Sequence, residues 1–384
     1  MLAIVIATLI KMLVMLGFAI ALAAVLTWME RRQSAMMQDR IGPERAYLLP
    51  PKPGQTLGRI RLWGLIHPLA DSLKLATKED FIPPKAHRTL YAIAPIFALA
   101  PVLMVFAVIP FGPPLLLDQL GAVLPRDPAR LAELVAGSQA AGKFHYLQIA
   151  HLDIGILFVF AITSLSVYGA TLAGWASFNA YGMLGGMRAA AQMFSYEITM
   201  GLAVMGAFLV YGTLEPNAVV EAQIQGHWGV LTQPLGFLLF FFAAIAETKR
   251  APFDLPEGES EIVGYFVEYS GARFMIFYLA EFIEIVFAAC LVTTLYFGGW
   301  HFPGLSSLAL PHWLMVLVGM GVFMAKVFVL CFLQLAIRWS VPRMRYDQLM
   351  KLGWKGLLPA SIINVVLTAA WILGEQAKVL PAWF

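Results

Sequence analysis

The stretch GVLTQPLGFLLFFFAAIAETKRAPFDLPEGESEIVGYFVEYSGARFMIFYLAEFIEIVFAACLVTTLYF, residues 229–297, places two apolar windows on either side of an acidic segment. The windows, 229–246 and 272–297, have or approach the length of about 20 apolar residues that a helix needs to cross a bilayer. The pattern predicts an all-α integral membrane protein with about eight transmembrane helices. Six further windows of this kind lie at approximately 2–28, 89–110, 152–174, 189–212, 313–337 and 356–373.

The composition supports one multi-spanning membrane domain over residues 1–384. Hydrophobic residues make up 60% of the chain and charged residues only 13%, which excludes an ordinary globular surface. Of the 26 Lys and Arg residues, 20 fall in the loops after the first, third, fifth and seventh windows. The positive-inside rule then predicts that both termini lie outside and that the loops 29–88 and 247–271 lie inside. The net charge of +3 gives no sign of a nucleic-acid partner.

The chain lacks the motifs that hold common redox cofactors and metals. Cys290 and Cys331 stand alone in apolar windows, so no iron–sulfur cluster or zinc site is expected from them. No G-x-G-x-x-G follows a strand and no P-loop is present, which gives neither a dinucleotide nor ATP a site. Any redox chemistry must therefore use the cofactor of a partner.

The first inside loop, 29–88, carries a predicted interfacial helix. Gly42-Pro43 must break the first helix, and residues 65–80 place leucines at helical spacing with Asp71 and two lysines on another face. Anchoring to anionic lipid explains the basic residues of this loop. It does not explain Glu30 and Asp71.

The second inside loop, 247–271, is rich in carboxylates. Asp254 and Glu257 have the form of a helix N-cap with its capping-box acid, which is a purely structural role. In a helix that begins at Leu255, residues 257, 261 and 268 share one face, where like charges oppose helix formation. Close carboxylates in a low-dielectric place raise one another's pKa and can pass protons. We therefore predict a proton relay from the glutamates of this loop, which are Glu247, Glu257, Glu259, Glu261 and Glu268.

Ionisable residues also lie inside the windows. Each charge costs about 2.5–3.5 kcal/mol at mid-bilayer, so a function is the first hypothesis and a buried ion pair the second. For Lys11 the structural interpretation is favoured. The others are Glu197, Glu281, Glu284 and Lys326.

These residues resemble those of a known family, the H subunits of bacterial NADH:quinone oxidoreductase (complex I), which are the counterparts of the first membrane subunit of the mitochondrial enzyme. The resemblance covers most of the chain, and its motifs together are highly specific. The motifs are WMERRQSAMMQDRIGPERA at 28–46, HPLADSLKLATKEDFIP at 67–83, MRAAAQMFSYEITMGL at 187–202, AETKRAPFDLPEGESE at 246–261, VEYSGARF at 267–274 and VPRMRYDQLMKLGWKGLLP at 341–359.

The resemblance implies a protein of the bacterial cytoplasmic (inner) membrane that forms the membrane part of a quinone chamber and binds no cofactor itself. Quinone is then the substrate. Iron–sulfur clusters, flavin and NADH belong to peripheral-arm partner subunits, and protons are pumped by antiporter-like partners. It implies quinone-binding residues Glu30, Arg31, Arg40, Asp71, Arg250 and Asp254, a charged path through the acids 247–268 with Glu197 and Glu281, and Arg188, Arg343 and Arg345 near the junction with the peripheral arm.

Some features depart from the family pattern, and two other functions stay open. Arg32 stands where Lys is usual, and the stretches near 47–62 and 114–144 look inserted. A related subunit of a membrane-bound hydrogenase is the first alternative, although the D-L-P-E-G-E-S-E segment favours the quinone enzyme. The second is an autonomous ion transporter, which would be expected to contain inverted repeats that this sequence lacks.

Overall fold

A computed structural model describes residues 2–47, 62–119, 121–122, 130, 134–138, 144–258, 261–304 and 310–377. Within these ranges seven helices are long and apolar enough to cross a membrane, and an eighth apolar helix is shorter. The prediction of an all-α membrane protein is confirmed. The inserted stretch near 47–62 and much of that near 114–144 lie outside the described residues.

The helices follow the predicted windows closely. Their bounds are α1 Leu2–Met37, α2 His67–Thr77, α3 Arg88–Met104 with a 3-10 turn Val105–Val108, α4 Gly155–Ala176, α5 Ala180–Tyr211, α6 Pro216–Gln225, α7 Gly229–Thr232, α8 Pro234–Glu247, α9 Gly271–Tyr296, α10 His312–Ser340, α11 Tyr346–Lys351, a π-helical turn Leu352–Leu357 and α12 Leu358–Gln376.

The window 229–246 forms a broken helix. Gln233 separates α7 from α8 with an extended φ of −131°, and Pro234 begins α8. Proline has no N–H and is suited to the first turn of a new helix, which explains the break. Although Gln233 lies at membrane depth, its side-chain amide is buried and donates to Thr368 Oγ1 at 2.9 Å. The polar group is thereby satisfied inside the protein.

Helix α9 forms the centre of the bundle. It is the most buried of the long helices and contacts α1, α2, α3, α8 and α10. Helices α3, α4, α5 and α8 pack in sequence beside it, and α12 lies against α5. Small residues permit close approach: a Cβ at Gly169 on α4 would lie 2.6 Å from the backbone nitrogen of Ala98 on α3. Because α9 has neighbours on so many sides, it can carry charges out of contact with lipid.

The predicted interfacial helix is α2. None of its residues is buried, and Leu69 and Leu73 are more than half exposed on its outer side. An exposed apolar stripe on a helix of a membrane protein faces lipid or a partner. The predicted helix near 65–80 is confirmed with slightly tighter bounds.

The connections lie on two opposite faces of the bundle. The face that carries the 248–270 segment, here called the acidic face, also holds α2 and the 341–345 turn, because Phe81 N–H bonds Ser270 and Met344 N–H bonds Pro252. The opposite face holds α6 and a two-residue antiparallel strand pair, β1 Leu115–Leu116 with β2 Phe144–His145. Functional residues from distant parts of the sequence therefore meet on the acidic face.

Candidate functional site

The acidic segment is irregular, and the helix predicted from Leu255 is absent. Residues 248–258 and 261–270 form turns and bends, so the shared face expected for residues 257, 261 and 268 does not exist. Prolines 252 and 256 interrupt helical bonding, and Val263 and Gly264 adopt positive φ. The predicted capping bond is present without its helix, since Asp254 Oδ1 accepts from the Glu257 N–H at 3.1 Å.

Arg250 occupies the middle of a buried set of charges. Its guanidinium lies 3.1 Å from a Glu30 oxygen on α1 and 3.2 Å from a Glu281 oxygen on α9. The other Glu30 oxygen pairs with Arg338 on α10 at 2.5 Å. The side chains of Arg250 and Glu281 are 5% exposed, so these ion pairs act in a medium that screens them little. Arg250 thus connects α1 and α9 directly, and Glu30 extends the network to Arg338 on α10.

A second ion pair lies beside the first. Lys249 Nζ is 3.1 Å from Glu284 Oε1, one helical turn along α9 from Glu281. Burial alone would lower the pKa of Lys249, but the carboxylates of Glu284 and Glu281 raise it above its ordinary value. The lysine is therefore held in its charged form. We call Glu30, Lys249, Arg250, Glu257, Glu281 and Glu284 the buried charge cluster.

Glu257 supplies an acid to this cluster that can hold a proton. Burial first, and then the adjacent Glu281 with which it shares a side-chain hydrogen bond, raise the pKa of Glu257 well above its ordinary value. Two carboxyl groups share such a bond only when one is protonated. The Tyr265 hydroxyl also donates to Glu281 at 3.4 Å. The arrangement can store one proton next to a fixed carboxylate.

Asp254 lies between the cluster and the surface of the acidic face. Burial raises the pKa of the Asp254 carboxyl to about 6, while Arg343 and Arg338 act against this effect. The group therefore titrates near physiological pH.

A small cavity of about 30 Å³ adjoins the cluster at Glu284. Glu284 and Glu247 line it, together with the hydroxyls of Thr163 and Ser166 on α4. Such a volume is enough for water, and polar groups on its wall can hydrogen-bond to it. Glu247 also lies near enough to Glu197 on α5 to interact electrostatically. The acids at 281, 284, 247 and 197 thus follow one another across the bundle.

An apolar cavity of about 220 Å³ lies on the other side of the cluster, between α1, α2 and α9. Ala24 belongs to its apolar wall, whereas Asp71 and Tyr278 provide polar groups. Asp71 pairs with Arg31 at 2.5 Å. The cavity is lined by Ile20, Ala23, Ala24, Thr27, Pro68, Asp71, Ser72, Leu75, Met275, Tyr278, Leu279 and Phe282.

The wall of this cavity is shared with the buried charge cluster. The Arg250 guanidinium lies 3.9 Å from the ring centroid of Phe282 and 5.9 Å from that of Tyr278. Both rings line the cavity. A change of charge inside the cavity would therefore alter the electrostatic potential at Arg250, because only one layer of aromatic rings separates the two.

Other predicted residues lie outside the cluster. Glu261 is partly exposed and pairs with Arg188 at 2.6 Å and Arg343 at 3.8 Å. Glu268 accepts from the Asn179 amide at 2.6 Å. Arg40 is exposed and bonds Gln38 and Ser34, and Arg345 pairs only weakly with Asp347 at 3.6 Å; Glu259 lies outside the described residues.

The structure adds residues that the sequence did not single out. Arg338 and Lys249 complete ion pairs with Glu30 and Glu284, and Gln192 contacts the backbone of the acidic segment. Arg338 and Lys249 were visible only as basic residues at helix ends. Nothing in the spacing of Gln192 on a long apolar helix indicated its contacts.

The lysines inside the windows have structural partners. Lys11 Nζ donates to the carbonyls of Tyr146 and Gln148 at 2.7 and 3.3 Å. Lys326 Nζ donates to three carbonyls just beyond the end of α9, of Phe297, Gly299 and His301, at 2.5–3.0 Å. A cation at this position satisfies helix-terminal carbonyls.

One group of possible metal ligands lies on the opposite face. His151 Nδ1 is 3.1 Å from Glu215 Oε1, and Asp153 is close to both. Exposed acidic groups are common without an ion, and we assign no metal to them.

Comparison with known proteins shows the family of the chain. A family model described as NADH dehydrogenase matches residues 10–369. The second of two H subunits of NADH-quinone oxidoreductase in Geobacter metallireducens is 40% identical over 94% of each chain. The H subunit of Protochlamydia amoebophila is 41% identical over 91% of this chain and 93% of its own, and the first H subunit of Cytophaga hutchinsonii is 37% identical over 92% and 93%.

The chain belongs to the family of NADH-quinone oxidoreductase H subunits. As a member of this family it is a multi-pass membrane protein and one component of a larger oxidoreductase. The predicted family resemblance is thereby confirmed. The roles of individual residues stay predictions.

Proposed function

We propose that this chain forms the membrane part of the quinone chamber of a proton-translocating NADH:quinone oxidoreductase, and that it couples quinone reduction to pumping. The observation that carries the proposal is the shared wall: Phe282 and Tyr278 line an apolar cavity and also stack against Arg250 of the buried charge cluster. The apolar side suits a quinone tail, and the charged side suits proton movement.

Quinone would approach from the lipid. Ile20 on α1 and the leucines of α2 are exposed beside the apolar cavity, so a tail can pass between these helices without crossing water. Arg31 and Asp71 form a polar pair at the cavity and could orient a head group. Further quinone-binding roles are proposed for Glu30, Arg40, Arg250 and Asp254.

Reduction of quinone to quinol consumes two electrons and two protons. The electrons would come from an iron–sulfur cluster of a peripheral-arm subunit, with NADH and flavin farther along that arm. Charge that develops on the quinone would shift the balance between Arg250, Glu281 and Glu257, because the medium is poorly screening. A proton displaced from this pair could then travel through Glu284, Glu247 and Glu197 toward antiporter-like partner subunits.

The residues on the rim of the acidic face suit a junction with the peripheral arm. Arg188 and Arg343 flank Glu261, and Arg345 is exposed beside them. Charged, partly exposed groups of this kind are typical of the rim of a protein interface. The two other candidate functions, a hydrogenase-type subunit and an autonomous transporter, receive no specific support from this geometry.

The proposal is tested by filling the apolar cavity. Ala24→Trp places a bulky ring in the space for the tail. We expect quinone binding to weaken by about 1.4 kcal/mol or more, which corresponds to a rise of at least roughly tenfold in the KM for quinone. The assembled complex should keep its NADH oxidation with a hydrophilic acceptor. Leu13→Trp, at a 75% exposed position of the same helix, is the matched control. Unchanged quinone kinetics in an assembled Ala24→Trp complex would contradict the proposal.

The orientation in the bacterial inner membrane gives a further prediction. We expect the acidic face to lie inside and both termini outside, because 20 of 26 basic residues then lie inside. Lys78→Cys on the acidic face and Gln225→Cys on the opposite face are both exposed, and the native Cys290 and Cys331 are buried. An impermeant thiol reagent applied to right-side-out vesicles should label Gln225→Cys alone. Labelling of Lys78→Cys from that side would reverse the topology.

A further inference from the structure

Gln192 on α5 makes contacts that the proposed function leaves unused. Its side-chain amide is fully buried, and its Nε2 donates to the carbonyl oxygens of Ala246 at 2.6 Å and Phe253 at 2.7 Å. These two acceptors flank the short connection that begins at the end of α8 and contains Lys249 and Arg250. The side-chain amide of Gln192 therefore binds both ends of the segment that contains Lys249 and Arg250, the two cations of the buried charge cluster.

This connection has little regular structure to hold it. Residues 248–253 form turns, and Lys249 has a φ of +56°, a left-handed conformation that costs free energy for a residue other than glycine. Such a conformation persists only where the surroundings fix it. The 341–345 turn also holds this connection, since the Met344 N–H bonds the Pro252 carbonyl at 3.1 Å and Arg343 Nε bonds that of Asp254 at 3.1 Å. Gln192 attaches the connection to α5.

The side-chain amide of Gln192 interacts with the protein through its two N–H donors. Within the described part of the chain, Gln192 Oε1 has no hydrogen-bond partner. A buried unpaired oxygen is a cost, so the two N–H bonds account for the favourable part of this side chain's polar contacts. If they are lost, the carbonyl of Phe253 loses a buried partner and the connection can relax.

We propose that Gln192 is a positioning residue that sets the separations of Arg250 from Glu281 and of Lys249 from Glu284, and thereby the coupling of quinone reduction to proton movement. This inference rests on the proposed function for its effect on turnover, but the separations themselves can be measured independently. Both ion pairs span about 3 Å, and electrostatic energy in a poorly screening medium changes steeply with distance.

The test compares Gln192→Met, Gln192→Asn and Gln223→Met in the whole complex in membrane vesicles. Met matches the length of Gln without its donors, and Asn keeps the amide but is one methylene too short to reach both carbonyls. Gln223 is equally buried and also bonds backbone, at Thr294, Gly229 and Gly298, but on the opposite face. The Gln223→Met variant therefore shows what the loss of a buried bridging amide does when the amide lies far from the buried charge cluster.

We expect Gln192→Met to keep NADH oxidation with a hydrophilic acceptor while quinone-dependent turnover per assembled complex falls at least about tenfold, since displacements near 1 Å are costly at such sites. Gln192→Asn should be intermediate. Gln223→Met should reduce only the amount of complex. In a cryo-EM structure of Gln192→Met, the Arg250–Glu281 and Lys249–Glu284 distances should lengthen.

Two results would overturn the inference: normal quinone turnover per complex in both Gln192 variants, or unchanged ion-pair distances in them. If Gln192→Met does not assemble, Gln192→Asn carries both measurements. Failure of the carboxylate path itself would be recognised separately, because Glu247→Gln and Glu197→Gln would then keep coupled activity while the distances in Gln192 variants still changed.

Discussion

Replacing Arg250 by Met is expected to abolish quinone-dependent turnover and to lower the amount of assembled complex. The variant leaves the carboxylates of Glu30 and Glu281, which lie 3.1 and 3.2 Å from the guanidinium, without their common partner. Removal of one partner from a buried ion pair costs about 3–5 kcal/mol, because the remaining charge is uncompensated. Turnover should fall more than a hundredfold, measured as NADH:quinone activity per assembled complex.

The geometry also predicts the behaviour of two variants that restore part of the lost interaction. Arg250→Lys keeps the charge, but a single ammonium cannot reproduce the forked contact with two carboxylates or the stacking on Phe282. It should recover assembly better than turnover. Glu30 keeps its pair with Arg338 in the Arg250→Met variant, whereas Glu281 loses the ion-pair partner that it has in the described part of the chain. Combining Arg250→Met with Glu281→Gln removes this uncompensated charge and should restore part of the assembly.

Arg273→Met is the matched control for these variants. Arg273 pairs with Asp80 at 3.4 Å on the acidic face, and both side chains are partly exposed. Exposed pairs contribute about 0–1 kcal/mol, so this variant should remain close to wild type. If Arg250→Met were as mild as Arg273→Met, Arg250 would have no central role in the cluster.

Neutralising the membrane-embedded acids Glu247 and Glu197 is expected to give the second large effect. Glu247→Gln and Glu197→Gln preserve shape, but an amide cannot titrate. Neither carboxylate is in an ion pair in the described part of the chain, so the substitutions should cost little stability. Quinone-dependent turnover with proton uptake should fall at least about tenfold, in line with the usual contribution of a proton-transfer group.

Measuring NADH oxidation and coupled quinone-dependent turnover in one vesicle preparation distinguishes a proton-relay role of these acids from a purely structural role. NADH oxidation with a hydrophilic artificial acceptor should stay intact, because that reaction would end in the peripheral arm. Glu79→Gln, at an exposed position of the acidic face, should retain both activities and is the control. Full coupled activity in both Gln variants, singly and combined, would refute the relay.

The relay proposed from the structure differs from the one expected from sequence spacing. The i, i+4 face of Glu257, Glu261 and Glu268 required a helix that prolines and tertiary hydrogen bonds prevent. Glu257 instead turns toward Glu281, whereas Glu261 pairs with arginines at the surface. We therefore propose that the inner path runs through Glu257, Glu281, Glu284, Glu247 and Glu197, and that Glu261 contributes to the rim.

The sequence by itself determined the membrane class, the helix windows and the amphipathic helix α2, whose interfacial position stays a prediction. Apolar length and amphipathic spacing are local properties of the chain, and the bilayer imposes helices on such segments. The motifs likewise identified the family. Acids at membrane depth, such as Glu281, were recognisable because charge is costly there.

Only the tertiary structure decided which charges meet. Arg250 contacts Glu30 across 220 positions of sequence, and Gln192 reaches Phe253 across 61. The break at Gln233 and the irregular acidic segment depend on partners from other helices, which supply hydrogen bonds that local propensity does not specify. Sequence spacing fixes directions along one helix, whereas ion pairs and cavities arise between helices, where the packed arrangement alone sets distances and burial.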